Sequence, residues 1–282
     1  MVGLQIAVDA HTFRRGSLTD TLDAIVAAGF TAVQFGLACA GGEAMPQHLS
    51  AEACAEIREA LATRGIRMAS VSGTFNMIDP DPVRRADGQA RLRVLIAACP
   101  WLRTDIVTLC TGTRDPVSMW RAHPENGLAS AWRDLVASLR TVLPVAEAHG
   151  VTLALEPEVS NVIDSAARAR RLLDELGSPS LRVCIDGANL YHAGELPRMT
   201  AILEEAFALL GRDIVLAHAK DLDHDGAAGD LPAGHGRLDY ARYLSLLHGS
   251  GYRGAIVLHS LTESQAAGCA TFLRQKIAEA QR

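Results

Sequence analysis

VTLALEPE, residues 151–158, sorts its side chains by parity. Val151, Leu153 and Leu155 fall on one side of an extended chain, and Thr152, Ala154, Glu156 and Glu158 fall on the other. Such a strand needs helices against its branched face and an enclosed interior against the small and acidic one. Working outward, similar short apolar runs recur at 4–10 (LQIAVDA), 32–36 (AVQFG), 68–75 (MASVSGTF) and 106–112 (IVTLCTG). They continue at 181–188 (LRVCIDGA), 214–221 (IVLAHAKD) and 254–261 (GAIVLHSL). Helical periodicity fills the intervals at 17–28, 50–64, 82–98, 126–148, 164–176, 197–210, 239–248 and 263–280. The result is eight units of about 35 residues, the length of a strand–helix repeat.

The punctuation agrees with this division. Gly29, Gly65, Gly150, Gly177 and Gly211 each follow a helical stretch, where a left-handed closing residue is expected. Ser17 and Ser50 stand where an N-cap accepts the first free amides. Eight units without a composition break predict an α/β chain, a single (β/α)8 TIM barrel domain over residues 1–282. An open doubly wound sheet is the alternative. It would leave two exposed edges, and no strand carries the Lys or Pro that blunts one.

With 282 residues, 49% of them hydrophobic, the chain can bury a full core without metal or disulfide staples. Lys+Arg number 27 against 32 Asp+Glu, a formal net charge of -5. Basic residues cluster only briefly, at Arg84-Arg85 and between Arg168 and Arg171, so a nucleic-acid partner is not expected. The six cysteines (39, 54, 99, 110, 184 and 269) include no C-x-x-C pair and are expected to be reduced and buried. The first residues show no basic region followed by a long apolar one, and no apolar run approaches about 18 residues. A cytoplasmic protein without membrane contact is the expectation.

Parity then locates a site. Cys184 and Asp186 share a face of the sixth strand, and Ala255, Val257 and His259 share one of the eighth. In the seventh, His218 and Lys220 oppose Val215, Ala217 and Ala219. Ser70, Ser72, Thr74 and Asn76 align in the third strand, as do Gln5, Ala7, Asp9 and His11 in the first. Ionisable groups therefore gather inward at the C-terminal strand ends, where barrel active sites form. Glu156, Asp186 and His218 cannot sit unpaired in a low-dielectric mouth without a large desolvation cost. A divalent cation compensates, and mixed oxygen and nitrogen ligation suits Mn, Mg, Co or Zn. His259 is a fourth ligand or the holder of a metal-bound water. The competing account is an ion-pair network in which Lys220 neutralises a carboxylate.

Other polar residues have two readings each. Glu158 reaches substrate or makes a loop salt bridge, and Lys220 polarises a carbonyl or serves as a counter-charge. His11 and Asn76 line the pocket or cap neighbouring loops. The segment 111–126, TGTRDPVSMWRAHPEN, is long, and its pattern exposes Arg114, Trp120, Arg121 and His123. That set suits a sugar or an anionic group; as a surface loop anchored by Trp120 it needs no ligand.

Several motifs carry a family resemblance: LALEPE at 153–158, CIDGANLYHAG at 184–194, LAHAKD at 216–221, and GHGRLDYARYL at 234–244 leading into GYRGAIVLH at 251–259. In this order they resemble the xylose-isomerase-like TIM-barrel superfamily of sugar isomerases and epimerases. The resemblance implies a divalent metal held by Glu, Asp, His and a second Glu, and relatives that are often dimers. Glu156, Asp186 and His218 match the first three positions. His259 stands where the epimerases carry the second Glu, and Asn189 stands where they have His. Asn189 joins His11, Asn76, Arg114, Trp120 and His123 as candidate substrate contacts.

The leading expectation is a metal-dependent isomerase or epimerase of a sugar, keto-sugar or related polyol, working through an enediolate. Glu156 or Glu158 would remove the proton, and His259 or Lys220 would return it or hold the oxyanion. A metal-dependent lyase or dehydratase, resembling inosose dehydratase, shares the first step. A non-catalytic sugar-binding barrel is the reading from another class. The partner is a small carbohydrate-like molecule, with a second copy of the chain as a possible dimer mate.

Overall fold

The computed structural model describes residues 4–280; the outermost residues named in the reading of the amino terminus, 1–3, lie outside the described residues, as do 281–282. Eight parallel strands close on themselves in chain order: β1 Gln5–Asp9, β2 Ala32–Phe35, β3 Arg67–Ser72, β4 Ile106–Cys110, β5 Thr152–Glu156, β6 Leu181–Asp186, β7 Ile214–Ala219 and β8 Ala255–Leu258. Pairing of Gln5 through Val8 with Ala255 through Leu258 seals the barrel and excludes the open sheet. Outside run α1 Leu18–Ala27, α2 Ala51–Ala62, α3 Pro82–Leu102, α4 Ala129–His149, α5 Ala166–Leu176, α6 Met199–Leu210, α7 Tyr240–Gly249 and α8 Glu263–Ala280. This is the (β/α)8 TIM barrel.

The two faces of the strands meet different cores. Between strands and helices lies a large cluster of branched and aromatic side chains that includes Val33, Phe35, Val107, Leu153, Leu155 and Leu172. Inside the barrel a second cluster is built from small residues and a few larger ones: Ala7, Ala32, Ala69, Ala154, Cys184, Leu216, Ala255 and Val257. This packed floor closes the barrel beneath the rim, where the polar groups sit.

Two strand irregularities refine the parity. Val33 pairs with Met68 and Gln34 with Ser70, which leaves Ala69 as the extra residue of a bulge. Val183 pairs with Ile214 and Cys184 with Leu216, leaving Val215 unmatched. Val215, expected on the outer face, therefore packs partly against the interior cluster. Above each bulge the expected inward residues resume.

Helix ends follow the sequence signals with three corrections. Ser17 and Ser50 accept amide bonds from Asp20 and Ala53 as N-caps, and four of the five expected glycines close helices with φ between 60° and 85°. Gly211 does not, with φ of −53°, because the chain runs on into a 3-10 turn over Gly211–Asp213. Helix α3 continues through Pro100 to Leu102, and the first residues expected in α4 form instead a separate 3-10 turn at Pro124–Gly127. All six cysteines are free and buried. Among the described residues, no helix is long and apolar enough to cross a membrane.

Candidate metal centre

Parallel pairing sets the heights of the central side chains. Asp186 is level with His218, and His218 with Val257, so the ends of β6, β7 and β8 rise together. Helix α7 fixes this alignment from outside. The Tyr243 hydroxyl donates to the carbonyls of Ile185 (3.1 Å) and His218 (3.0 Å), and Tyr240 donates to that of Lys220 (2.9 Å). Backbone carbonyls of two adjacent strands thus share one phenol, which ties their ends together.

At that level, one donor atom from each of Glu156, Asp186, His218 and His259 lies within 4.8 Å of the other three. Glu156 Oε1 faces His218 Nδ1 at 3.2 Å and accepts the Asn189 Nδ2 hydrogen bond at 2.7 Å. Asp186 is fully buried; one oxygen accepts the Ala188 amide, and the other meets His259 Nε2 at 2.9 Å and the Lys220 ammonium at 4.0 Å. The imidazoles of His218 and His259 are neighbours, with ring centres 4.6 Å apart. The four groups expected to share a cation are therefore together at the rim. Two carboxylates and two imidazoles form a donor set suited to a divalent first-row metal or Mg. Asn189 adds a second indication: its buried Oδ1 has no hydrogen-bond partner among the described residues.

Electrostatics bind the cluster as an ion-pair network. Burial works against ionisation of Asp186, yet Lys220, His259 and His218 together hold its carboxyl below the usual range. Glu156 is lowered too: burial opposes the charge, and the charge and hydrogen bond of His218 outweigh it. The His218 imidazolium is disfavoured by burial but favoured by Cys184 and Glu156, and the balance is well upward. Burial pushes the Cys184 thiol to about 11, which leaves Glu156 as the anion facing the ring at neutral pH. His259 moves downward through burial and the neighbouring His218 charge. Glu158 is pushed up to about 7, by burial first and then by Glu156.

The remaining expected residues divide by what holds them. Lys220 is buried, and Asp186 is its nearest anion. Glu158 is buried and receives the Asn161 Nδ2 hydrogen bond at 3.2 Å. His11 is partly exposed at the end of β1. Asp9 holds its Nδ1 at 3.1 Å, and the ring packs so closely over Gly36 that a Cβ there would lie 1.9 Å from Cε1. Asn76 is engaged at both ends: Oδ1 accepts from Thr113 and Ile78, and Nδ2 donates to the Thr113 carbonyl, so it fastens the loop after β3 to the loop after β4.

Arg114, expected to be exposed, is instead largely buried. It bridges Asp134 (2.5 Å) and the Ile78 carbonyl (2.9 Å). A guanidinium with five donors can tie a loop to a helix when a carboxylate and a carbonyl converge on it. His123 is only partly exposed, and its Nδ1 accepts the Glu125 amide as the cap of the 3-10 turn. Trp120 and Arg121 are exposed as expected, the latter paired with Asp115.

Parity put Asp9 on the inward face of β1 without giving it a role, and Gln34 was not singled out at all. Asp9 is half-buried, holds the His11 ring, and is close enough to His259 to be affected by its charge. Gln34 of β2 reaches His218 Nε2 at 2.9 Å from the side opposite Glu156. Gln34 is the one polar residue in the Ala32–Phe35 strand, and that isolation was the available signal.

The family model described as "Xylose isomerase-like TIM barrel" matches residues 22–276. No curated protein matches the chain by sequence. Among solved structures, the chain is similar to 3-keto-D-glucoside 4-epimerase from E. coli at 18% identity and TM-score 0.70, covering 98% of this chain and 100% of that one. It is similar to D-allulose 3-epimerase from Methylomonas sp. in complex with D-allulose, at 15% identity and TM-score 0.70, with 98% of each chain covered. A barrel protein from Mycobacterium smegmatis in complex with magnesium is similar at 17% identity and TM-score 0.75, over 99% of this chain and 98% of that one. Identities this low carry the fold and nothing finer.

Proposed function

The chain belongs to the xylose isomerase-like TIM-barrel family, and we propose that it is a divalent-metal-dependent isomerase or epimerase of a sugar, keto-sugar or related polyol, acting by proton abstraction beside a carbonyl. The observation that carries this is the convergence of Glu156, Asp186, His218 and His259 donor atoms within 4.8 Å at the C-terminal rim. Those four residues would hold the ion, which is Mn, Mg, Co or Zn. When bound, it supplies Lewis acidity that lowers the cost of drawing a proton from carbon beside a carbonyl. The similar structures include sugar epimerases, one in complex with D-allulose, and a barrel protein in complex with magnesium, which supports the substrate and ion classes.

The chain's own residues have separate tasks in this reading. Glu158, buried and steadied by Asn161, takes the proton from carbon. The Lys220 ammonium places positive charge where the substrate oxygen becomes negative. Asn189 fixes the rotamer of Glu156. His11, oriented by Asp9 at the end of β1, and the exposed Trp120 of the loop after β4 present a polar and a flat apolar surface to the sugar.

The test is solvent exchange. The protein loaded with each of the four ions is incubated in deuterated water with a panel of ketoses, and substrate C–H exchange is followed by NMR. Stereospecific exchange at a carbon beside the carbonyl is expected with at least one pair. Saturation with metal, measured separately, and no exchange across the panel would overturn the proposal.

A further inference from the structure

His218 differs from the other imidazole of the cluster in having close side-chain partners, at 3.2 Å or less, on both ring nitrogens. Nδ1 faces Glu156 Oε1 at 3.2 Å, within the donor cluster. Nε2 faces Gln34 Oε1 at 2.9 Å, away from it. His259 turns Nε2 toward Asp186, and its Nδ1 has only the Ser260 hydroxyl, at 3.5 Å.

The environment of Gln34 makes this contact more than incidental. Its side chain is buried on the inner side of β2, in a strand whose other members are Ala32, Val33 and Phe35. A buried amide without a partner is costly, so an amide at this position needs a specific use. The Ser70 hydroxyl donates to the same Oε1 at 3.3 Å. Ser70 stands opposite Gln34 because the β3 bulge inserts Ala69 just before it. With Oε1 turned to His218, one oxygen accepts from both the ring N–H and the Ser70 hydroxyl.

We infer that Gln34 is a positioning residue for the metal centre: its Oε1 accepts the Nε2 proton of His218, so that the lone pair of Nδ1 is presented to the cation beside Glu156. The inference rests on the metal reading above. A neutral imidazole has one proton and one lone pair, and the hydrogen bond made by one nitrogen decides which of them the other offers. With the proton held on Nε2, the ring is in the tautomer that can ligate through Nδ1 without rearrangement. The same bond locks the ring plane and increases the basicity of the ligating nitrogen. With the amide reversed, its NH2 would donate to Nε2, the proton would move to Nδ1, and no lone pair would face Glu156.

The experiment uses the full chain labelled with 15N-histidine and loaded with Zn, a diamagnetic probe. Long-range 1H–15N correlations should show His218 with a protonated Nε2, a slowly exchanging proton, and a metal-bound Nδ1. Gln34→Met removes the acceptor at similar volume. It should weaken Zn binding about 10–100-fold by competition with a chelating dye, and it should expose the Nε2 proton to fast exchange. Gln34→Glu keeps an acceptor and should restore affinity to within a few-fold of the starting protein. The inference is overturned if wild-type His218 binds Zn through Nε2, or if Gln34→Met binds Zn within twofold with the proton still protected. A wild-type protein that binds no divalent ion defeats the metal reading itself, a result the binding measurement alone reveals. The wild-type spectrum decides the tautomer even if a variant fails to fold.

Discussion

Asp186 and Lys220 form the most deeply buried oppositely charged pair at the rim, and removing either tests how much of the network is electrostatic. The carboxylate is fully buried, the ammonium nearly so, and they stand 4.0 Å apart. Two unit charges at that distance attract by about 4 kcal/mol at an effective dielectric of about 20. Desolvation offsets part of this, yet removing one partner strands the other, which typically costs about 3–5 kcal/mol. Asp186→Asn leaves the Lys220 ammonium facing a neutral amide. Lys220→Met leaves Asp186 with His259 as its remaining close side-chain partner, at 2.9 Å. The double variant removes both charges and should be more stable than the sum of the single losses implies. The assay is urea unfolding of all four proteins at pH 7 with chelator present, read by circular dichroism. A coupling energy of about 2–4 kcal/mol is expected, well above the roughly 0.5 kcal/mol within which independent sites add. Additivity within that margin would refute the pairing and leave Lys220 a solvent-screened group.

Three further outcomes follow from the same geometry. In the metal-free protein, the raised His218 value contributes stability that is full below its unfolded value near 6.5 and is lost as pH rises through the higher folded one. The lowered Glu156 value contributes stability that is present above about 4.3 and is lost as pH falls through the folded value. Since a cation must displace the His218 proton, metal affinity measured by calorimetry should rise with pH, and a flat profile from pH 6 to 9 would contradict this assignment. Gly73→Ala places a Cβ 2.6 Å from Val107 Cγ1 and 2.8 Å from Leu92 Cδ1, both in the packed core, and should cost about 1–3 kcal/mol in chemical denaturation. Arg114→Ala should cost about 1.5–3 kcal/mol through loss of its charge-assisted bonds to Asp134 and Ile78, whereas Trp120→Ala should leave the unfolding midpoint unchanged. Equal effects of the two would show that the loop after β4 is not anchored by the arginine.

Alternation made the barrel legible because it is a local property: each strand declares its inner and outer faces within four to six residues. Glu156, Asp186, His218 and His259 followed from it, since parallel neighbours end at common heights and an inward ionisable residue at a strand end has nowhere else to point. The bulges at Ala69 and Val215 were not legible, because inserting one residue leaves the composition of a run unchanged and is visible only in what stands across from it. Exposure in the loop after β4 was misjudged for a related reason. Arg114 is buried by Asp134, twenty positions away on α4, and no local pattern contains that partner. Gln34 is the instructive case. Attention to ionisable residues passed over an uncharged amide, although its setting carried the necessary information. In AVQF every neighbour is apolar, and parity places the glutamine on the same side as Ala32, inside the barrel. Inside a closed barrel an amide must find a partner, and the groups within reach are those that gather at the rim. The rule that a buried polar group must be satisfied therefore reaches the support around the site, where charge alone reaches only the site itself.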